Sequence, residues 1–328
     1  MSAAPQKASA GAEKIAVTVS AVEPVNDLVT RFTFIRSDGR NFPPFSGGAH
    51  TVVTMQDGDR ARLNPYSLMS DPADLSTYAI SVRRDDAGRG GSLFMHQQVK
   101  KGDAMTITYP VNLFSLDLRA KKHIFFAGGI GITPFMAMIA QLEQSNGNWE
   151  LHYAARSKDL GSYADMLTAK FPTKVHVYYD DQDQKIRLET LFSGQPLGTH
   201  AYVCGPAGMI RWVHDTATKM GWPAGQVHSE EFLAPEPGAP FTVRLCKSDK
   251  TITVGANESL LEAMERAEVD APFLCRGGSC GQCETDVVSA AGRLLHRDHW
   301  LDDDEQAAGK KIMPCVSRFI GVGLELDR

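Results

Sequence analysis

The pattern of apolar and polar positions divides the chain into three parts. In residues 14–116, segments such as KIAVTVSAVEPV, HTVVTMQDG, YAISVRRDD and DAMTITYP alternate apolar and polar residues between turn signals. A period of two predicts strands that bury one face, and a succession of such strands predicts an antiparallel barrel. The first part is therefore expected to be a β domain.

The middle part, residues 117–232, has a different pattern. KHIFFAGGIGITPFMAMIAQL passes from an apolar strand through a glycine turn into a helix that starts near Thr133, and WELHYAARS and KVHVYYDD predict two further strands. HAYVCGPAGMIRWVHDTATKMG repeats the order of strand, tight turn and helix. Alternating strands and helices predict an α/β domain whose parallel sheet binds its ligand at the carboxyl ends of the strands.

The last part, residues 241–328, begins with FTVRLCKSDKTITV, which alternates like a β-hairpin. ESLLEAMERAEV then has helical spacing, with Asn257 or Glu258 near the helix start. Cys246 is expected in the first strand as a small buried apolar residue. FLAPEPGAP predicts a linker at residues 233–240, and residues 1–13 are expected to form a disordered tail.

Composition excludes several functions. The chain has 328 residues, 43% of them hydrophobic, which suffices for two or three domains with cores. No apolar run reaches the roughly 18 residues of a membrane span, and the N-terminus lacks the apolar segment of a signal peptide, so a cytoplasmic protein without a membrane partner is expected. A net charge of −5 without a basic run argues against nucleic acid. The acidic run LDDDE, residues 301–305, is either a solvated loop or a docking face.

Three of the six cysteines lie in CRGGSCGQC, residues 275–283. Cys275, Cys280 and Cys283 have the spacing C-x4-C-x2-C, and Cys315 follows, which is the pattern of a plant-type [2Fe-2S] site. The glycines between them permit a loop that turns its backbone amides toward the sulfurs. A structural zinc site is the alternative, but zinc modules usually pair C-x2-C with a second such pair or with histidines, whereas Cys315 stands alone.

Glycine-rich turns elsewhere predict phosphate binding. Gly129 and Gly131 allow the backbone to approach a pyrophosphate, and the helix near Thr133 offers unpaired N–H groups. GRGGS, residues 88–92, provides a second stretch of bare backbone, and Tyr66, earlier in the chain, offers an aromatic plane. Each signal is weak alone, because Tyr66 could equally be a core aromatic and glycines often only turn the chain.

Five short segments follow one another in the order PYSL, GRGGS, GGIGITP, CGPAGM and CRGGSCGQC. With these segments in this order, the chain resembles the ferredoxin-NADP reductase superfamily, specifically its phthalate dioxygenase reductase type. The resemblance covers nearly the whole chain after the tail. It implies a flavin-binding antiparallel β-barrel at residues 14–116, an NAD-binding α/β domain at residues 117–232, and a β-grasp [2Fe-2S] ferredoxin domain at residues 241–328. A C-terminal ferredoxin domain is associated with FMN, so FMN is favoured over FAD.

The same resemblance implies residue roles. Ser67 is expected near flavin N5, Cys204 beside the nicotinamide, and Phe232 stacked on the flavin ring, although Phe232 could instead be a linker anchor. The implied cofactor-binding residues are Arg62, Tyr66, Ser67, Leu68, Arg83, Gly90, Gly91, Ser92, Gly129, Gly131, Thr133, Cys204, Gly205, Pro206 and Phe232. The implied cluster ligands are Cys275, Cys280, Cys283 and Cys315. Asn64 occupies the family's arginine position, so Arg62, or Arg83 with Arg84, is expected to face the flavin phosphate.

The implied function is electron transfer. NADH delivers two electrons as a hydride whereas the cluster accepts one, so a flavin must stand between them. NADH is favoured over NADPH because Asp159 follows the basic Arg156 and Lys158, and by the family association. The resemblance implies a monomeric reductase for a separate oxygenase of Rieske non-haem iron type, with a cytochrome P450 or a di-iron oxygenase as other acceptors. From another class, a zinc-containing nucleotide-binding module remains the alternative.

Overall fold

The computed structural model describes residues 13–58, 60–232 and 237–328. The predicted tail lies outside these residues except for Glu13, and half of the predicted linker, residues 233–236, also lies outside them. In the described parts of the chain, no helix is long and apolar enough to cross a membrane.

The first sheet is antiparallel and has seven strands in the order β4-β3-β6-β1-β2-β5, with β7 paired to β3. Its elements are β1 (Lys14–Asn26), β2 (Val29–Arg36), β3 (Ala49–Asp57), β4 (Arg60–Ser67), β5 (Tyr78–Arg83), α1 (Gly91–Gln97), β6 (Ala104–Thr108) and β7 (Val111–Asn112). Alternate residues such as Val17, Val19, Phe32 and Phe34 are fully buried in its core. The period of two therefore predicted this antiparallel domain correctly.

The second sheet is parallel, with five strands in the order β10-β9-β8-β11-β12. Its elements are β8 (Lys122–Gly128), α2 (Thr133–Gln144), β9 (Trp149–Ala155), α3 (Ala164–Lys170), β10 (Val175–Tyr179), α4 (Leu188–Phe192), β11 (Thr199–Cys204), α5 (Ala207–Lys219) and β12 (Val227–Glu230). Helices α2 and α3 cover one face and α4 and α5 the other, each over a buried apolar cluster. The predicted α/β domain is confirmed.

The third sheet is mixed, in the order β14-β13-β17-β15-β16, and only β13 and β17 are parallel. Its elements are β13 (Phe241–Leu245), β14 (Lys250–Val254), α6 (Leu260–Arg266), β15 (Thr285–Leu295), α7 (Asp303–Ala308), β16 (Lys311–Ile312) and β17 (Arg318–Leu326). With α6 packed on it, this is the expected ferredoxin fold. The exact domain boundaries remain a prediction.

One local expectation in this domain was wrong, and the start of α6 lies slightly later than Asn257 and Glu258, near which it was expected. Cys246 follows β13 and is exposed, because the strand ends at Leu245 and a turn begins. Helix α6 is capped by Ser259 and not by Asn257 or Glu258: the Ser259 hydroxyl accepts a hydrogen bond from the Glu262 amide, and the Glu262 carboxylate accepts one from the Ser259 amide. A Ser-x-x-Glu capping box defines a helix start more sharply than an isolated Asn or Glu.

Candidate flavin, nucleotide and iron-sulfur sites

One cavity of about 1100 Å³ is lined by residues of all three domains. Tyr66 and Ser67 line it from the first domain, Thr133 from the second, and Cys275 and Cys315 from the third. Cofactor sites are typically concave and of this size, and they often lie between domains. A ring system bound here would lie close to both the nucleotide turn and the cysteines.

Strand β4 presents a row of polar side chains along the cavity. Arg62, Asn64 and Tyr66 occupy alternate positions and therefore share one face of the strand. The Asn64 amide donates a hydrogen bond of 3.2 Å to the Tyr66 hydroxyl. Burial raises the pKa of Tyr66 to about 12, so its ring stays neutral.

Arg62 holds the GRGGS segment. Its guanidinium donates to the Arg89 carbonyl and forms an ion pair of 2.9 Å with Asp57. The segment lies directly against the strand, because a Cβ atom added to Gly91 would lie 2.3 Å from the Asn64 side-chain nitrogen. A cation beside closely approaching bare backbone is an arrangement that fits a phosphate group.

Among the described residues, the buried polar atoms at the cavity that lack partners include His50 Nε2 and Glu230 Oε2. His50 pairs with Ser67 across β3 and β4, and burial lowers its pKa to about 4, so the ring is neutral. Burial, with a contribution from Cys275, raises the pKa of Glu230 to about 8, whereas a hydrogen bond with Ser67 opposes that rise. Buried polar groups are normally paired, so these atoms fit a ligand with polar edges, as a flavin has.

Two glycine turns of the parallel sheet pack against each other: residues 128–131, after β8, and residues 204–206, after β11. A Cβ atom on Gly131 would lie 2.2 Å from the Cys204 carbonyl oxygen, and one on Gly205 would lie 3.0 Å from the Gly128 Cα. Both turns therefore stand at the carboxyl ends of β8 and β11, where this fold binds nucleotides. Cys204 itself is fully buried, and burial raises the pKa of its thiol.

The cluster cysteines affect one another's pKa in two pairs. The Cys280 thiol lowers the pKa of Cys275, and the Cys315 thiol lowers the pKa of Cys283. Two pairs can each supply two thiolates to one iron of a two-iron centre. Among the described residues, no three or more His, Cys, Asp or Glu side chains are grouped as a metal ion would require.

The loop that carries Cys275 to Cys283 fits around a cluster. Arg276, Gly278 and Gly281 have φ angles of 53°, 73° and 72°, in the left-handed region. The Gly277 amide donates to the Cys275 sulfur over 3.3 Å. A side chain at Gly281 would meet the Trp300 ring at 2.2 Å, so only glycine fits there. Backbone amides directed at sulfur are the contacts that tune iron-sulfur centres.

Comparisons with known proteins agree with this geometry. The family "Dimethylamine monooxygenase subunit DmmA-like, N-terminal domain" matches residues 106–227, and the family "2Fe-2S iron-sulfur cluster binding domain" matches residues 243–319, which include all four cysteines. The carnitine monooxygenase reductase subunit of Acinetobacter baumannii is 44% identical over 96% of this chain and 98% of its own length. The heme-dependent oxidative N-demethylase beta subunit of Ectopseudomonas mendocina is 42% identical over 95% and 98%.

Among solved structures, phthalate dioxygenase reductase superposes with a TM-score of 0.87 and 34% identity, over 96% of this chain and 98% of that one. The chain belongs to the phthalate dioxygenase reductase family. Its members act as reductases of oxygenase systems, and they pass electrons from pyridine nucleotides to a [2Fe-2S] centre. The predicted fold and the predicted class, an NADH-dependent flavin and iron-sulfur oxidoreductase, are confirmed.

Family membership does not assign individual residues, so their positions at the cavity matter. Ten of the predicted site residues line the cavity. One of them, Phe232, is 47% exposed to solvent. They are Arg62, Tyr66, Ser67, Arg83, Gly91, Ser92, Thr133, Phe232, Cys275 and Cys315. Leu68 is fully buried in the core of the first domain, away from the lining. The remaining predicted residues are not among those that line the cavity: Gly90, Gly129, Gly131, Cys204, Gly205, Pro206, Cys280 and Cys283.

Sequence reasoning missed His50, Arg89 and Glu230. His50 could have been noticed as a polar residue at an inward position of the apolar strand AHTVV. Arg89 lay inside a motif interpreted only for its glycines. Glu230 was missed because nothing in the local sequence HSEEF predicts that this carboxylate at the end of β12 is buried and interacts with Ser67 and Cys275.

Proposed function

We propose that this chain transfers electrons from NADH through FMN and a [2Fe-2S] cluster to a separate oxygenase of the Rieske type. The observation that carries the proposal is the single cavity lined by the nucleotide turn, the flavin strand and two of the cluster cysteines. Because the sites share one cavity, electrons have a short route from NADH to the cluster. No disulfide joins any of the six cysteines, and a chain that keeps four of them reduced for an iron-sulfur cluster fits a cytoplasmic location.

A bound flavin would accept a hydride from NADH and release electrons singly. The chain's own residues hold and orient the reactants. The turn with Gly129 and Gly131, together with Thr133, would bind the pyrophosphate, and Cys204 behind it would support the nicotinamide. Ser67 would donate a hydrogen bond at the flavin edge near N5. Phe232 lies in the cavity wall, where it would cover the ring and exclude water.

FMN is favoured over FAD by the wall that the third domain forms. Pro237, Ser259 and Glu262 line the same cavity as Arg89 of the GRGGS segment, where the flavin phosphate is expected. The adenosine half of FAD would extend from that phosphate and meet this wall. Chromatography of the flavin extracted from the purified protein tests this, and recovery of FAD would contradict it.

The acceptor could instead be a haem protein. The relative from Ectopseudomonas mendocina is described as a subunit of a heme-dependent demethylase, and it is 42% identical over nearly its whole length. Reduction rates measured with a purified Rieske oxygenase and with a haem-dependent demethylase, at equal concentrations, would distinguish the two acceptors.

The order of electron flow is tested by Cys280→Ser. We expect loss of the [2Fe-2S] absorption and of electron delivery to an iron-sulfur acceptor, while NADH oxidation with ferricyanide continues, because hydride transfer to the flavin precedes the cluster. Cys246→Ser is the matched control, since Cys246 is exposed and lies outside the cluster loop. Equal loss of both activities in the Cys280 variant would show that the order is wrong.

A further inference from the structure

A buried ion pair joins the flavin domain to the ferredoxin domain. Arg89 Nη1, in the GRGGS segment, lies 2.6 Å from Glu262 Oε2 on α6. Their side chains are only 13% and 11% exposed. Ion pairs this well shielded from solvent are costly to break, because removing one partner leaves the other buried charge uncompensated.

Arg89 and Glu262 each also take part in hydrogen bonds within their own domain. The Glu262 carboxylate also accepts the Ser259 amide over 2.8 Å in the capping box of α6. On the other side, the Arg89 carbonyl accepts a hydrogen bond from Arg62, which Asp57 holds in place. The pair therefore connects two rigid groups, so its loss cannot be absorbed by a flexible side chain alone.

Helix α6 also contacts both halves of the cluster cradle. Glu265 forms an ion pair with Arg276, the residue after Cys275, and Arg276 is almost fully buried over the Phe273 ring. The Leu261 amide donates to the Pro314 carbonyl over 2.9 Å, next to Cys315. One end of this seven-residue helix thus meets the flavin segment, while Leu261 and Glu265 contact the two segments that carry the cluster cysteines.

We propose that Arg89 and Glu262 are positioning residues that fix the ferredoxin domain, through α6, at the separation needed for electron transfer from flavin to cluster. The proposal rests on the electron order given above, flavin first and cluster second. A second contact across the domains, Glu231 with His299 at 2.7 Å, has a His299 side chain that is 56% exposed. Exposed pairs contribute little, so this contact does not replace the buried one.

Glu262→Gln tests the proposal in the protein loaded with flavin and cluster. Glutamine keeps an acceptor for the Ser259 amide but removes the charge that faces Arg89. We expect cluster reduction after NADH mixing to slow, by up to roughly tenfold where the undocked state becomes the major one, since ~1.4 kcal/mol lowers the docking constant tenfold. Flavin reduction by NADH should keep its rate, and amides of α6 should exchange hydrogen faster. Asp249→Asn, which breaks an exposed pair within the ferredoxin domain, is the matched control.

A double-mutant cycle with Arg89→Gln separates pairing from general damage. If the two residues act through each other, the double variant should be no slower than the slower single variant. Flavin affinity is measured by fluorescence for each protein, and the rates are taken at saturating flavin. Multiplicative effects, or wild-type cluster reduction in Glu262→Gln, would overturn the proposal. Cluster reduction that precedes flavin reduction in the unaltered protein would overturn the electron order instead.

Discussion

At the scale of single residues, Arg62 is the residue that we propose for the charge opposite the flavin phosphate, since position 64 is an asparagine. Arg62 and Asn64 are two residues apart on one strand and therefore face the same side. The sequence alone left Arg62 and Arg83 as alternatives, since it does not show which guanidinium reaches the GRGGS segment. The contact from Arg62 to the Arg89 carbonyl favours Arg62.

Arg62→Gln should weaken flavin binding by about tenfold to a hundredfold, the range for a hydrogen bond to a charged group. Quenching of flavin fluorescence on titration with the flavin-free protein measures the dissociation constant. Arg83→Gln provides the comparison, because Arg83 also lines the cavity. A larger effect from Arg83 would assign the phosphate contact to it.

His50 should make stability depend on pH. Its folded-state pKa of about 4 lies below the ordinary value of 6.5 because the ring is buried. Between these values the unfolded chain binds more protons, so the free energy of unfolding falls as the pH drops through this window. From pH ~7 to pH ~5 the loss should be about 2 kcal/mol. Urea unfolding of His50→Gln should show a smaller loss, and an equal loss would contradict this assignment.

At the scale of elements, the periods of the sequence predicted most strands and helices, because local alternation reflects which face is buried. The exposure of Cys246 was predicted wrongly, and the start of α6 was predicted only approximately, since both depend on where a turn begins or ends to within one or two residues. Contacts between distant segments, such as Gly131 against Cys204, leave no local pattern. The glycine turn was therefore predicted for its ligand and not for this second, packing role.

Gly131→Ala should distort both turns, because its Cβ would lie 2.2 Å from the Cys204 carbonyl oxygen. We expect a raised KM for NADH and a loss of about 1–3 kcal/mol of stability, as for other overpacked sites. Steady-state kinetics with ferricyanide and thermal unfolding measure the two effects. Gly208→Ala is the control, since its Cβ would meet open space and helix propensity favours alanine. Equal behaviour of the two variants would argue against the clash.

At the scale of the whole molecule, the order of the three domains was predictable because each carries a compact motif. How the domains meet was not, since the Arg89 and Glu262 partners are 173 residues apart. The acidic run was left open between a solvated loop and a docking face. In the structure it caps and begins α7, and Trp300 beside it packs on Gly281 of the cluster loop.

Replacing Asp302, Asp303 and Asp304 with Asn should slow reduction of the oxygenase at low salt, because these exposed carboxylates would attract a basic surface around the acceptor's redox centre. The difference from the unaltered protein should shrink as salt rises, since screening acts over about 8 Å at physiological ionic strength. Asparagine at 302 preserves the helix cap. NADH oxidation with ferricyanide should not change, and an unchanged rate at low salt would leave the run a solvated loop.

The wall that the ferredoxin domain adds to the cavity also bears on dissolved dioxygen. Closed sites suppress side reactions of their reduced cofactors, whereas a reduced flavin that is open to air passes its electrons to dioxygen, which forms hydrogen peroxide. Since residues of the third domain complete this wall, we expect fusion of the three domains in one chain to conserve NADH while no oxygenase is docked. Fusion of the domains would then limit the oxidation of NADH by dioxygen in the undocked protein as well as speed electron transfer to a docked oxygenase.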